Sequence, residues 1–219
     1  MESFPPEFLV AFNIDPSTLF NLNGFFAYAS LYVVLAAAIM ATYIGVVLAA
    51  REKITKASEF LMTRPQTRLS VFSQKIGAGI ILLTLINVVF IGFLIAMYFA
   101  LDNAGAAFER YLMLCGSVVI IEFMLFSIGV LLGTFLPRIK VPAAVASGVG
   151  IGFFITGMLH SLIENESARF LAPYHYIDTG LIVKSGQYEW EWLSFCGAVI
   201  VLPLILSALY YNRRDIESA

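Results

Sequence analysis

Five long apolar runs constrain this sequence more than any other feature. They are separated by short polar segments and cover residues 24–50, 76–101, 111–136, 141–163 and 193–210. A helix needs about 20 consecutive apolar residues to cross a bilayer, since every backbone polar group in lipid must be hydrogen-bonded within the protein. We therefore predict an all-α integral membrane protein with five transmembrane helices, in one membrane domain over residues 1–219.

Composition excludes a soluble domain. Hydrophobic residues make up 60% of the chain and charged residues only 13%, values far from those of soluble globular proteins. Cys115 and Cys196 both fall within apolar runs, so free thiols are expected and not a disulfide.

The positive charges are distributed unevenly between the two sides of the predicted membrane. Ten of the thirteen Lys and Arg residues lie in residues 51–75, in the turn at 138–140 and in the tail at 213–214. Cytoplasmic loops carry such an excess of Lys and Arg. We therefore predict a multi-pass protein of the cell membrane with a cytoplasmic C-terminus and a cytoplasmic loop 51–75. The lead 1–23, with the N-terminus, and the segment 164–192 are expected outside.

The basic loop 51–75 has a helical pattern of its own. Ile54, Ala57, Phe60 and Leu61 recur at helical spacing and would form one apolar face. Pro65 then ends or bends the segment. The pattern predicts a short amphipathic helix, over about residues 54–63, that rests against the membrane or against a partner.

The loop resembles the first cytoplasmic loop of ABC-2 type transporter permeases. In that family a Glu after a span is followed by a T-x-E-x-L-L-x-x-P-x-x-R run and by a Lys that opens the next span. The matching positions are Glu52, the run 57–61 (ASEFL), the run 64–68 (RPQTR) and Lys75. Ala57 stands at the usual Thr and Met62 at the second Leu. A looser resemblance continues over most of the chain, to residues 211–215.

The resemblance implies a permease subunit of an ABC transporter that exports an unidentified substrate. A separate ATPase subunit would bind and hydrolyse ATP, so this chain would hold no cofactor and would not be an enzyme. Other expected partners are a second copy or a homologous permease and the lipid bilayer, without nucleic acid. The residues implied to contact the ATPase are Glu52, Glu59, Phe60, Leu61, Arg64, Pro65 and Arg68. The alternative for this helix is that it lies in the lipid headgroup region.

Members of the family normally have six spans and a cytoplasmic N-terminus. The stretch PPEFLVAFNID, near the start of this sequence, resembles their external segment between the first and second spans. The family's first span is therefore missing from the sequence as given. Either the true start lies upstream, which we expect, or the chain is a shortened variant.

Glu122 is the one charged residue well inside an apolar run. An ionised carboxylate there is costly, so two hypotheses follow. In the first, Glu122 belongs to a translocation path or a proton-sensitive site. In the second, it is a neutral acid hydrogen-bonded to Asn87, Tyr43 or Ser127.

Small residues and aromatic residues suggest further contacts. The pairs Gly129/Gly133 and Gly148/Gly152 allow close helix packing, either within the chain or in a homodimer. The aromatic residues of segment 164–192 suit anchoring at the membrane interface or a lid over an exit path. His160 is expected at the interface, and no metal site is predicted.

Two other functions stay open. Glu122 would suit an ATP-independent ion- or proton-coupled transporter, and a non-transporting scaffold or immunity protein is the third hypothesis. The sequence contains neither a G-x-x-x-x-G-K-[ST] phosphate-binding loop nor a G-x-S-x-G or H-E-x-x-H motif, which argues against catalysis by this chain.

Overall fold

The computed structural model describes residues 22–55, 67–100, 107–163 and 166–213. These residues form helices and turns, with no strand among them, which confirms the predicted all-α class. The elements in chain order are α1 (Leu22–Thr55), α2 (Arg68–Ala100), α3 (Phe108–Phe135), α4 (Pro142–Ile163), α5 (Glu166–Arg169), a 3-10 turn (Pro173–His175), α6 (Thr179–Ser185) and α7 (Trp190–Arg213).

Five of the helices, α1, α2, α3, α4 and α7, are long and apolar enough to cross a membrane. Their number agrees with the five predicted spans. Several of them extend beyond the apolar runs, because intrahelical hydrogen bonding does not stop where the side chains become polar. α1 continues through Arg51 to Thr55, and α2 already begins at Arg68. Part of the predicted loop 51–75 therefore belongs to the ends of spanning helices.

α3 is the central helix of the bundle. Fifteen of its 28 residues are buried, and they include polar side chains such as Ser117, Glu122 and Ser127. α3 packs most extensively against α1 and next against α7, whereas α2 and α4 lie further out. The two cysteines, Cys115 on α3 and Cys196 on α7, are buried free thiols, as expected.

α1 and α3 run in the same direction and their backbones approach closely. A Cβ atom at Gly133 would lie 2.7 Å from the backbone oxygen of Val46, and one at Gly129 or Gly45 would also meet backbone of the facing helix. Only glycine permits such an approach at these positions. The first predicted glycine pair, Gly129/Gly133, is therefore used within the chain.

The second pair, Gly148 and Gly152 on α4, has a different environment. Among the described residues, nothing lies within 4 Å of a Cβ built at either position. α4 instead approaches α1 through Gly150, whose Cβ would meet the side chain of Ile39. A homodimer contact through Gly148 and Gly152 stays a prediction.

The two ends of the bundle are distinct. We call the end that holds the last turns of α1 and α7, the first turn of α2 and the turn between α3 and α4 the loop end. We call residues 166–189, which contain α5, the 3-10 turn and α6, the cap. The cap lies at the opposite end of the bundle, where it contacts α1, α3 and α4.

Candidate functional site

Most of the residues implied to contact the ATPase lie outside the described residues. Glu59, Phe60, Leu61, Arg64 and Pro65 all fall between the end of α1 and the start of α2, in residues that the structure does not describe. Glu52 lies within α1, and Arg68 is the first residue of α2. The predicted helix over residues 54–63 starts inside α1, because α1 ends at Thr55. Of the seven predicted contact residues, the structure therefore describes only Glu52 and Arg68.

Both flanks of the loop are anchored in the bundle. At the end of α1, Ala50 is fully buried in a small cluster with Val46 and with Ile139 of the turn between α3 and α4. At the start of α2, Phe72 is 4% exposed and packs against Tyr211 of α7, with ring centroids 5.2 Å apart. A displacement of the loop would therefore be transmitted to the helices that these two flanks contact.

A cation–π contact strengthens the second flank. The ammonium of Lys75 lies 5.8 Å from the centroid of the Tyr211 ring, within the range of a weak attraction. On the neighbouring residue, the Tyr210 ring stacks on Phe135 of α3 at 4.3 Å. The last turn of α7 is thus joined to the start of α2 and to the end of α3.

Glu122 lies in the middle of α3 and is 2% exposed. The side-chain amide of Asn87 on α2 donates to its Oε2 at 2.7 Å and also to the backbone oxygen of Leu83 at 3.0 Å. Oε1 of Glu122 has no hydrogen-bond partner among the described residues. Of the three partners named from the sequence, Asn87 is therefore the one in contact.

Neither of the other two side chains named as partners has a described hydrogen bond to Glu122. Tyr43 is 43% exposed. The single hydroxyl hydrogen of Ser127 is shared between the backbone oxygens of Met124 at 2.7 Å and of Val199 on α7 at 3.1 Å. The hydrogen bond between Asn87 and Glu122 therefore joins α2 to α3 near the middle of both helices.

Arg169 organises the cap, a role that the sequence analysis missed. Its guanidinium donates to the backbone oxygens of His175 at 2.8 Å and of Tyr176 at 3.2 Å, and it forms an ion pair with Glu189. It also lies 4.2 Å from the centroid of the Trp192 ring on α7. Arginine suits this position because its planar fork can donate in several directions while its face stacks on an aromatic ring.

Aromatic packing completes the attachment of the cap. Tyr176 stacks on Trp192 at 5.4 Å, and its hydroxyl donates to the backbone oxygen of Phe170 at 2.5 Å. Burial raises the pKa of Tyr176 to about 12, so its hydroxyl stays a donor at neutral pH. These contacts attach the cap to α7. An Arg beside a dense run of aromatic residues was the sequence pattern that could have revealed this attachment. Anchoring at the membrane interface and a lid over an exit path both stay predictions.

Two histidines meet beneath the cap. The rings of His160 on α4 and His175 are 5.4 Å apart, and Nε2 of His175 is 3.5 Å from the hydroxyl of Ser161. Burial is the main cause that lowers the pKa of His175 to about 4, and the neighbouring His160 lowers it further. Within the described residues no third metal-ligating side chain joins them. Because of its lowered pKa, His175 is neutral at physiological pH.

The fold and these contacts define a class of protein, a multi-pass helical membrane protein. The family model described as ABC-2 family transporter protein matches residues 10–216, nearly the whole chain. The chain belongs to the ABC-2 transporter family and is a permease of an ABC transporter, a transmembrane component that is not itself catalytic. The resemblance seen in the sequence is thereby confirmed. Neither the curated proteins nor the solved structures gave a match to this chain.

Proposed function

We propose that this chain is the permease subunit of an ABC exporter and that a separate ATPase subunit docks on the loop around residues 56–66. Membership of the ABC-2 family implies association with an ABC ATPase and carries this proposal. ATP would be bound and hydrolysed on that subunit, and a second permease copy or a homologous permease would complete the complex.

The anchored flanks of the loop support this role. Residues 56–66 connect the end of α1 to the start of α2. Near these points Ala50 of α1 and Phe72 of α2 each belong to a buried apolar cluster. A segment held in this way can transmit a rigid-body movement of a docked partner to two spans at once. Phe60 and Leu61 would supply the apolar anchor, and Glu59 and Arg64 a charged rim, as in compact binding sites on other proteins.

The docking test uses the double variant Phe60→Ala with Glu59→Lys. We expect the variant to insert and fold, while the ATPase no longer co-purifies with it or no longer responds to it. Lys140→Glu is the matched control, because it also changes a charge at the loop end, on an exposed residue outside the loop. An ATPase that remains fully bound and coupled in the double variant would show that the loop is only a membrane anchor.

We further propose that the loop end is cytoplasmic and the cap external. The support is the excess of Lys and Arg at the loop end. Single-cysteine labelling at Ser73 and Ser167, in a background without Cys115 and Cys196, tests this orientation. We expect an impermeant reagent to label position 167 on intact cells, and position 73 only after the membrane is opened. The reverse pattern would invert the topology.

For Glu122 we propose a structural role. The hydrogen bond from Asn87 supports it, since it gives the carboxyl group a neutral interhelical partner at a depth where an ion would be costly. The competing hypothesis is a translocation or proton site. It predicts that Glu122→Gln loses transport, whereas a structural role predicts that this variant stays active.

A further inference from the structure

Pro203 lies in the interior of α7 and breaks its hydrogen-bond ladder. Proline has no backbone N–H, so the carbonyl of Val199, four residues earlier, loses its normal helical donor. The Ser127 hydroxyl of α3 lies 3.1 Å from that carbonyl and 2.7 Å from the backbone oxygen of Met124 on its own helix, so its single hydrogen is shared between the two, and Ser127 is fully buried. A neighbouring helix therefore supplies the hydrogen bond that proline removes.

A second serine lies one turn further along α7. The hydroxyl of Ser207, which is also fully buried, donates to the backbone oxygen of Pro203 at 2.6 Å. Serine bonds of this kind to the preceding turn often accompany bending of a helix. The stretch from Val199 to Ser207 therefore contains one break in the backbone ladder, at Pro203, and a serine bond to the carbonyl of that same residue.

The two halves of α7 on either side of Pro203 are held by different parts of the molecule. The half that begins at Trp190 is attached to the cap, through Trp192 against Tyr176 and Arg169. The half that ends at Arg213 is attached at the loop end, through the Tyr211 ring against Phe72. Pro203 therefore separates a part of α7 packed on the cap from a part packed on the start of α2 and, through Tyr210 against Phe135, on the end of α3.

We propose that Pro203 is a hinge in α7 and that Ser127 is a positioning residue that holds the hinge carbonyl of Val199. When the loop is displaced, the loop half of α7 moves together with the first turns of α2, while the cap half stays in place. This inference rests on the proposed function only for its driving force, the action of an ATPase on the loop. The bond from Ser127 keeps the carbonyl paired in the resting position.

The hydrogen bond from Ser127 can be tested by a double-mutant cycle in lipid nanodiscs. Ser127→Ala alone should lower the melting temperature by about 2–4 °C, because it leaves the Val199 carbonyl unpaired. In a Pro203→Ala background the same change should cost almost nothing, since the restored N–H at position 203 pairs that carbonyl. The control is Ser117→Ala on the same helix, whose hydroxyl bonds to Leu114 of its own helix at 2.6 Å. Its cost should be equal in both backgrounds.

The hinge itself is tested by hydrogen exchange and by coupling. Amides of residues 200–202 and 204–207 should exchange about tenfold faster in the wild type than in Pro203→Ala, because an intact ladder opens less often. Pro203→Ala should still co-purify with the ATPase but lose its stimulation. Additive effects in the cycle, equal exchange rates, or full stimulation with Pro203→Ala would each overturn the proposal. If no ATPase co-purifies even with the wild type, the proposed function fails, while the cycle and the exchange rates still decide on the hinge.

Discussion

The hydrogen bond between Asn87 and Glu122 offers the sharpest test of what the buried carboxyl group does. Oε2 accepts from Asn87 at 2.7 Å and Oε1 has no partner among the described residues. In Glu122→Gln the amide oxygen can still accept from Asn87, and the new NH₂ group takes the place of the unpaired oxygen. We therefore expect Glu122→Gln to leave stability nearly unchanged.

Glu122→Leu should behave differently. It removes the interhelical acceptor and leaves the Asn87 amide, among the described residues, with the backbone oxygen of Leu83 as its acceptor. An interhelical hydrogen bond in a membrane protein contributes about 1 kcal/mol, which corresponds to a shift of about 2–4 °C in the melting temperature of a protein of this size. Asn87→Leu combined with Glu122→Leu should recover part of this loss, because neither polar group is then left unpaired.

The assay is thermal unfolding of the purified permease in nanodiscs, combined with transport or ATPase stimulation in the same preparation. A structural role predicts that function follows stability, so that Glu122→Gln is active. Loss of transport in Glu122→Gln, with normal stability and assembly, would refute the structural role and favour a charge that acts in translocation. Equal stability and full activity of the wild type, Gln and Leu proteins would remove any role for this position.

Two further predictions concern packing and pH. Gly133→Leu should destabilise the bundle by about 1–3 kcal/mol, because the leucine side chain would collide with the backbone at Val46. Gly148→Leu is the control and should be tolerated in the monomer, since nothing described lies near that position. Unfolding curves and size-exclusion profiles compare the two variants, and equal effects would contradict the α1–α3 contact. Because the pKa of His175 is lowered in the folded protein, the unfolded chain binds a proton at this residue more readily. The contribution of His175 to the free energy of unfolding is therefore complete above about pH 6.5 and falls as the pH drops towards 4. His175→Gln should reduce this dependence in a pH series of melting temperatures, and an unchanged pH profile would show that other groups cause it.

The spans could be predicted because lipid imposes one strong requirement, a long apolar helix, and a single polar residue does not remove that pattern from the sequence. The contacts between the spans could not be predicted in the same way. The sequence identified Glu122 as a buried group in need of a partner, but the choice of Asn87 depends on how α2 is rotated and shifted against α3. Arg169 was missed for a related reason, since two of its partners are backbone oxygens at His175 and Tyr176 that only the turn brings together.

The close contact between α1 and α3 has a consequence for biosynthesis. The glycines that fit together, Gly45 on α1 with Gly129 and Gly133 on α3, are separated in the chain by the whole of α2. During translation α1 and α2 are both made before α3, the main partner of α1, so the closest helix contact of the bundle forms only when α3 follows. Substitutions at these glycines should therefore delay assembly of the nascent protein and expose it to quality-control proteases, even where the finished bundle could tolerate the change.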